Sequence, residues 1–112
     1  MHVLILDDDA NNRLTLSALF EHEGMKVQAV DTLAALRAAL RASPFDVAVL
    51  DLHVEDGLGT DVVPELVERG SRVILMSGTA EPGLKIRGVE CAFRKGDAFD
   101  VLLAAVRGAS MR

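Results

Sequence analysis

The sequence predicts an α/β fold, a doubly wound parallel sheet with helices on both faces. Three observations carry that prediction. Short runs with continuous apolar centres, VLIL (3–6) and DVAVLDL (46–52), have the pattern of strands buried on both faces. Segments with apolar residues at helical spacing lie between them. Strand and helix signals also alternate along the chain, which calls for crossover connections and a parallel sheet.

VLIL is the first strand. Residues 12–23 follow as a helix, with Leu16, Leu19 and Phe20, and Leu14 and Ala18, at helical spacings and Gly24 as its stop. KVQAV (26–30) is the second strand, where Val27 and Ala29 alternate with polar neighbours. Leu33, Leu36 and Leu40 set the apolar stripe of a second helix, with Asp31 or Thr32 as its N-cap and Ser43-Pro44 at its end. After the third strand, Gly57 and Gly59 mark a loop, and Val62, Val63, Leu66 and Val67 form one face of a third helix closed by Gly70. RVILMS (72–77) is the fourth strand, residues around 89–94 a weaker fifth, and Val101, Leu102, Ala105 and Val106 belong to the last helix. Right-handed crossovers reduce the possible topologies, and five strands in a chain of this size suggest the flavodoxin-like order 2-1-3-4-5. Between Ser77 and the fifth strand about a dozen residues remain, Pro82-Gly83 among them, so the fourth helix is expected to be short or missing.

A length of 112 residues suggests one domain, residues 1–112, with one real core. The formal net charge of −5 argues against direct binding to nucleic acid or to an anionic membrane surface. Cys91 is the only cysteine, which excludes an internal disulfide and a thiolate metal cluster and fits a reduced cytoplasmic setting. The apolar runs are too short for membrane insertion. His2, His22 and His53 lack metal-ligand spacing and read as surface residues, and Cys91 reads as a small core residue.

In this topology ligands bind beyond the carboxyl ends of the strands. The first strand ends in Asp7, Asp8 and Asp9, the third in Asp51, the fourth in Ser77-Gly78-Thr79 and the fifth in Lys95. The order 2-1-3-4-5 makes these four strands neighbours, so their polar ends converge. Several carboxylates close together repel one another, and a hard divalent cation with oxygen ligands relieves that repulsion, which points to Mg²⁺. A lysine adds a charge suited to a phosphoryl oxygen and a serine adds a donor. Together they suit phosphoryl transfer, with a carboxylate able to serve as the nucleophile. Asp51, on the central strand and separate in sequence from Asp7–Asp9, is the better nucleophile candidate.

Four stretches resemble the receiver domain of two-component response regulators, in order and over nearly the whole chain. VLILDDD resembles the first strand with its acidic pair, and VAVLDLHVEDGLG the strand and loop around the phosphoacceptor aspartate. ILMSG resembles the fourth strand with its Ser/Thr switch, and FRKGDAFDVLLAAV the lysine motif and final helix. The resemblance implies that Asp51 accepts a phosphoryl group from a sensor histidine kinase or a histidine phosphotransfer protein. It implies that Asp8 and Asp51 bind Mg²⁺ directly, that Asp7 acts through a metal-bound water, and that the backbone carbonyl of His53 is a further ligand. Ser77 would hydrogen-bond the phosphoryl group and Lys95 would pair with it. Asp9 would be dispensable and would cap the first helix. The signal would pass by conformational change to a downstream protein target or a fused output domain. Enzymatic activity would be confined to the domain's own phosphorylation and dephosphorylation.

The chain departs from the family pattern at three places. Glu55 stands where proline is common, four residues after the phosphoacceptor, and Gly96 stands where proline usually follows the lysine. The position three before the lysine, usually Tyr or Phe, is Ala92, with Phe93 one place later. Either the aromatic switch is absent or the fifth strand is one residue short. These departures motivate an alternative reading, a receiver-like interaction module that works without phosphorylation. Two other motifs fail. Asp7, Asp9 and Asn11 open like a calcium loop, but Asn12 and Ala18 stand where Gly and Glu are needed. Asp7-x-Asp9 is similar to the start of haloacid-dehalogenase-type phosphatases, but Asn11 does not fit their pattern.

Overall fold

The computed structural model describes residues 1–78, 86–94 and 98–110, with residues 109 and 110 described by backbone only. The elements in chain order are β1 (His2–Leu6), α1 (Ala10–His22), β2 (Lys26–Val30), α2 (Leu33–Ala42) and β3 (Val47–Asp51). A small hairpin, β4 (His53–Val54) and β5 (Gly57–Leu58), follows, then a 3₁₀ turn (Gly59–Val62) and α3 (Val63–Glu68). β6 (Arg72–Ser77), β7 (Val89–Arg94) and α4 (Phe99–Ser110) complete the described chain. The five long strands form one sheet in the order β2-β1-β3-β6-β7, every adjacent pair parallel. This is the flavodoxin-like order the strand pattern predicts. The stretch expected to carry a short or missing fourth helix includes residues 79–85, which lie outside the described residues.

The alternation of strand side chains divides the core into two layers. Leu4, Leu6, Ala48, Leu50, Val73 and Leu75 pack against Leu33, Leu36 and Leu40 of α2 and Val63 and Leu66 of α3. Val3, Ile5, Val47, Val49, Ile74 and Met76 pack against Phe20 of α1 and Leu102, Leu103 and Val106 of α4. β3 lies between β1 and β6 with all of its residues buried, as its unbroken apolar run requires. β2 is an edge strand and is only half-buried at Val27, Ala29 and Val30, while Lys26 and Gln28 are exposed.

Some sequence expectations shift in register or facing. α1 begins at Ala10, where the Asp9 carboxylate caps it by accepting from the Asn11 and Asn12 N–H groups. Its apolar residues ring most of the helix, and only Phe20 and half-buried Leu16 meet the core. Leu14 is 71% and Leu19 36% exposed, so not all of the apolar residues read at helical spacings are buried. α3 has only six residues, and Val67 points outward at 48% exposure. His2, read as a surface residue, is half-buried. Its ring stacks on Phe45 with centroids 4.1 Å apart, and its Nδ1–H donates to the Pro44 carbonyl at 3.1 Å.

A bulge between Val73 and Ile74 shifts the β6–β7 register, after which Leu75 faces Ala92 and Met76 faces Phe93. Ala92 therefore packs on the α2–α3 layer, and Phe93 packs on the α1–α4 layer with Phe99. β7 is described over the six residues Val89–Arg94, and Phe93 points to the opposite face from Ala92. Cys91 is half-buried against the α1–α4 layer.

The start of α2 is held by two side chains. The Thr32 hydroxyl accepts from the Ala35 N–H at 3.1 Å. The Asp56 carboxylate, from the loop after β3, accepts from the Leu33 and Ala34 N–H groups at 2.8 and 3.1 Å. These donors have no partner within the helix, and they face an anion at its positive end. The Leu33 N–H, opposed by partial desolvation and aided by the Ala34 N–H, holds the Asp56 carboxyl below its ordinary range. A lowered folded value means that this stabilisation is complete above the unfolded pKa of about 3.9 and is lost as pH falls through the lower folded value. The urea midpoint of the parent should therefore exceed that of Asp56→Asn at pH 7. The gap should narrow as pH falls below about 4, and a gap constant with pH would refute a titrating cap.

Candidate functional site

Parallel pairing brings the carboxyl ends of β1, β3 and β6 side by side. Leu6 is level with Leu50, which places Asp7 beside Asp51, and Asp51 is level with Met76, one residue before Ser77. One carboxylate oxygen each from Asp7, Asp8 and Asp51 lies within 4.8 Å of the others. Asp7 and Asp51 are buried, at 0% and 5% exposure, and Asp8 faces solvent. Ser77 is also buried, level with Arg94 of β7. Lys95, the next residue, lies outside the described residues, as do Thr79 and Gly96. His53 opens β4 two residues past Asp51, with its imidazole exposed.

The local backbone explains how these carboxylates are held. The Asp7 N–H donates to the Val30 carbonyl, which extends the β1–β2 ladder by one residue. Asp7 Oδ1 accepts from the Asp9 N–H at 2.9 Å, and Oδ2 lies 3.4 Å from Asn12 Nδ2. The Arg13 guanidinium donates to the Asp7 carbonyl at 2.9 Å and brings a positive charge beside the cluster. Motif reading alone passes over Asn12 and Arg13. A signal for them exists in the sequence, because both sit in the first turn of a helix capped by Asp9 and so must return toward the strand end.

Gly59 is a third such residue, which in sequence reads only as a loop marker. Its N–H donates to the Leu52 carbonyl at 2.7 Å, which closes the loop after β3 back on its own start. A Cβ at Gly59 would collide with the Asp51 carbonyl oxygen and come within 3.2 Å of the Asp51 carbonyl carbon. The obstacle is backbone in a central strand, so it cannot swing aside.

The donor set fits a hard cation. A six-coordinate Mg²⁺ takes oxygens at about 2.1 Å, so its ligand oxygens are roughly 3–4 Å apart. Carboxylate oxygens within 4.8 Å of one another are close to that spacing. With carboxylates at two adjacent strand ends, a positive charge between them would relieve their mutual repulsion.

The model of the response regulator receiver domain family matches residues 3–103. This chain belongs to that family. Among curated proteins, this receiver domain is 33% identical over 109 residues to the photosynthetic apparatus regulatory protein RegA of Rhodovulum sulfidophilum. That match covers 91% of this chain and 60% of the relative, so the chain spans less than two thirds of the longer protein. Among solved structures, a two-component response regulator from Clostridium difficile superposes with a TM-score of 0.90 at 18% identity, covering 100% of this chain and 97% of that one. The response regulator protein TrrA from Thermotoga maritima, in complex with Mg²⁺-BeF, superposes with a TM-score of 0.85 at 20% identity, covering 96% and 97%. Among the described residues no helix is long and apolar enough to cross a membrane.

The close approach of Gly59 to β3 leads to a direct test. Gly59→Ala should lower stability by about 1–3 kcal/mol in urea denaturation, because it overfills a packed site. Gly78→Ala serves as the control. There a Cβ meets nothing within 4 Å, and the change should stay within about 0.5 kcal/mol.

Proposed function

We propose that residues 1–112 form one receiver domain that takes a phosphoryl group on Asp51 in a two-component phosphorelay. The observation that carries this reading is the meeting of the Asp7, Asp8 and Asp51 carboxylates at the end of the buried central strand. The Mg²⁺-BeF complex of the neighbour TrrA lends it support.

Asp51 presents a carboxylate oxygen to the phosphorus of a phosphohistidine on a sensor kinase or phosphotransfer protein. The new O–P bond forms as the P–N bond breaks, and the electron pair of that bond returns to the imidazole nitrogen. Asp8 and Asp51 would hold Mg²⁺ directly, with the His53 carbonyl as a further ligand and Asp7 reaching the ion through water. When bound, Mg²⁺ neutralises charge building on the transferring oxygens. Ser77 donates its hydroxyl hydrogen to a phosphoryl oxygen, and Lys95 pairs with the same group as a point charge. Acting on the populations of two conformations, the phosphoryl group alters contacts with a downstream protein or a fused output domain. A reduced cytoplasmic setting belongs to this reading and accords with the single cysteine.

Incubation with acetyl phosphate and Mg²⁺ should add the mass of one phosphoryl group to the intact protein. Asp51→Asn should abolish the addition and Asp9→Asn should retain it. A parent chain that stays unmodified with every donor would refute phosphoacceptor function. The second reading, an interaction module independent of phosphorylation, is favoured by one observation. The face where the family carries a switch aromatic holds Ala92, and Phe93 packs on the other side. Partner binding that is indifferent to Mg²⁺, phosphodonor and Asp51→Asn would establish it.

A further inference from the structure

The loop after Asp51 is closed at its base by the Gly59 N–H bond to the Leu52 carbonyl, but its tip has little support of its own. β4 and β5 have two residues each, joined through Glu55 and Asp56, and a hairpin that short has no independent stability. Two-residue hairpin turns match the strand twist when a central residue has positive φ. Neither Glu55 nor Asp56 has it, since the positive-φ residues among those described are all glycines. At Glu55 the loop also lacks the fixed φ that a proline would supply. The tip of the loop therefore gains from a contact outside the hairpin.

The Asp56 carboxylate makes that contact. Its two oxygens grip the Leu33 and Ala34 N–H groups at 2.8 and 3.1 Å, a bidentate contact to a helix anchored in the core by Leu33, Leu36 and Leu40. The next residue seats against the same helix. Gly57 has φ 149°, and a Cβ there would lie 2.8 Å from Leu33 Cδ1. On the other side, Asp61 Oδ2 accepts the Leu58 N–H at 3.0 Å. His53 lies within the hairpin these contacts hold.

We propose that Asp56 is a positioning residue for the Mg²⁺ site: by clamping the loop to the first turn of α2, it fixes the His53 carbonyl relative to Asp51. The proposal rests on the metal-binding reading above. A loop released from α2 must be ordered when the ion binds, and that ordering weakens binding. Supporting groups of this kind typically change metal affinity by about tenfold or more.

The test separates positioning from stability. Asp56→Ala and Thr32→Ala each remove a cap from the same end of α2, but only the first removes the hydrogen bonds that tie the loop to that helix. Both should lower the midpoint of thermal unfolding. In calorimetric Mg²⁺ titrations well below that midpoint, Asp56→Ala should weaken binding by about tenfold, while Thr32→Ala should bind like the parent. Asp56→Asn keeps one acceptor oxygen and should fall between them, and it carries the test if Asp56→Ala does not fold. Equal Mg²⁺ affinity in the parent and the Asp56 variants overturns the proposal alone. Equal weakening in Thr32→Ala also overturns it, because general loosening of α2 would then be the cause. A parent that binds no Mg²⁺ refutes the reading of the site and the proposal with it.

Discussion

The structure depends on a carboxylate placed at the end of a strand that has no exposed residue. β3 is buried from Val47 to Asp51, so the sheet delivers a charged group from its driest part. A charge there is unfavourable unless hydrogen-bonding or ionic partners surround it. Much of the remaining molecule supplies that environment. Parallel pairing sets β1 and β6 at the same level, the loop after β3 folds back on Leu52, and α1 begins directly after the Asp7–Asp9 run. The acidic cluster is a consequence of ending two adjacent strands, β1 and β3, in carboxylates at one edge. The same arrangement gives the edge a donor set that fits a hard cation.

The support is uneven across the two faces of the sheet. On the α1 side the strand end is held locally, by Asp9, Asn12 and Arg13 acting on Asp7 within one turn of helix. On the α2 side it is held at long range, through a carboxylate that crosses from the β3 loop to another helix. The Arg37–Glu65 pair at 3.0 Å also joins α2 to α3, but its side chains are 41% and 40% exposed and the pair adds little. What keeps these helices in place is burial against the sheet, of Leu33 and Leu36 from α2 and of Val63 and Leu66 from α3.

The strands, their order and the acidic cluster were legible because each follows from a local pattern plus a topological rule. The unbroken apolar run of β3 means burial on both faces. The order 2-1-3-4-5 then brings Asp7, Asp8 and Asp51 together without any long-range information. Other features were not legible, for definite reasons. Leu14, Leu16, Ala18, Leu19 and Phe20 surround α1 so broadly that spacing could not select its buried side. The Asp56 cap joins residues 23 apart in sequence, and an aspartate in a glycine-rich loop reads simply as a turn residue. The facing of Ala92 and Phe93 depends on strand alternation after a bulge that pattern alone does not reveal.

β2 has one further consequence. As an edge strand it offers a row of unpaired backbone groups to any passing extended chain, the geometry from which cross-molecular sheets grow. Two properties blunt it: the strand has only five residues, and Lys26 and Gln28 are exposed along it. An added strand would have to cover the lysine's ammonium group and strip its water. The polar alternation of KVQAV thus protects against aggregation as well as marking the border of the sheet.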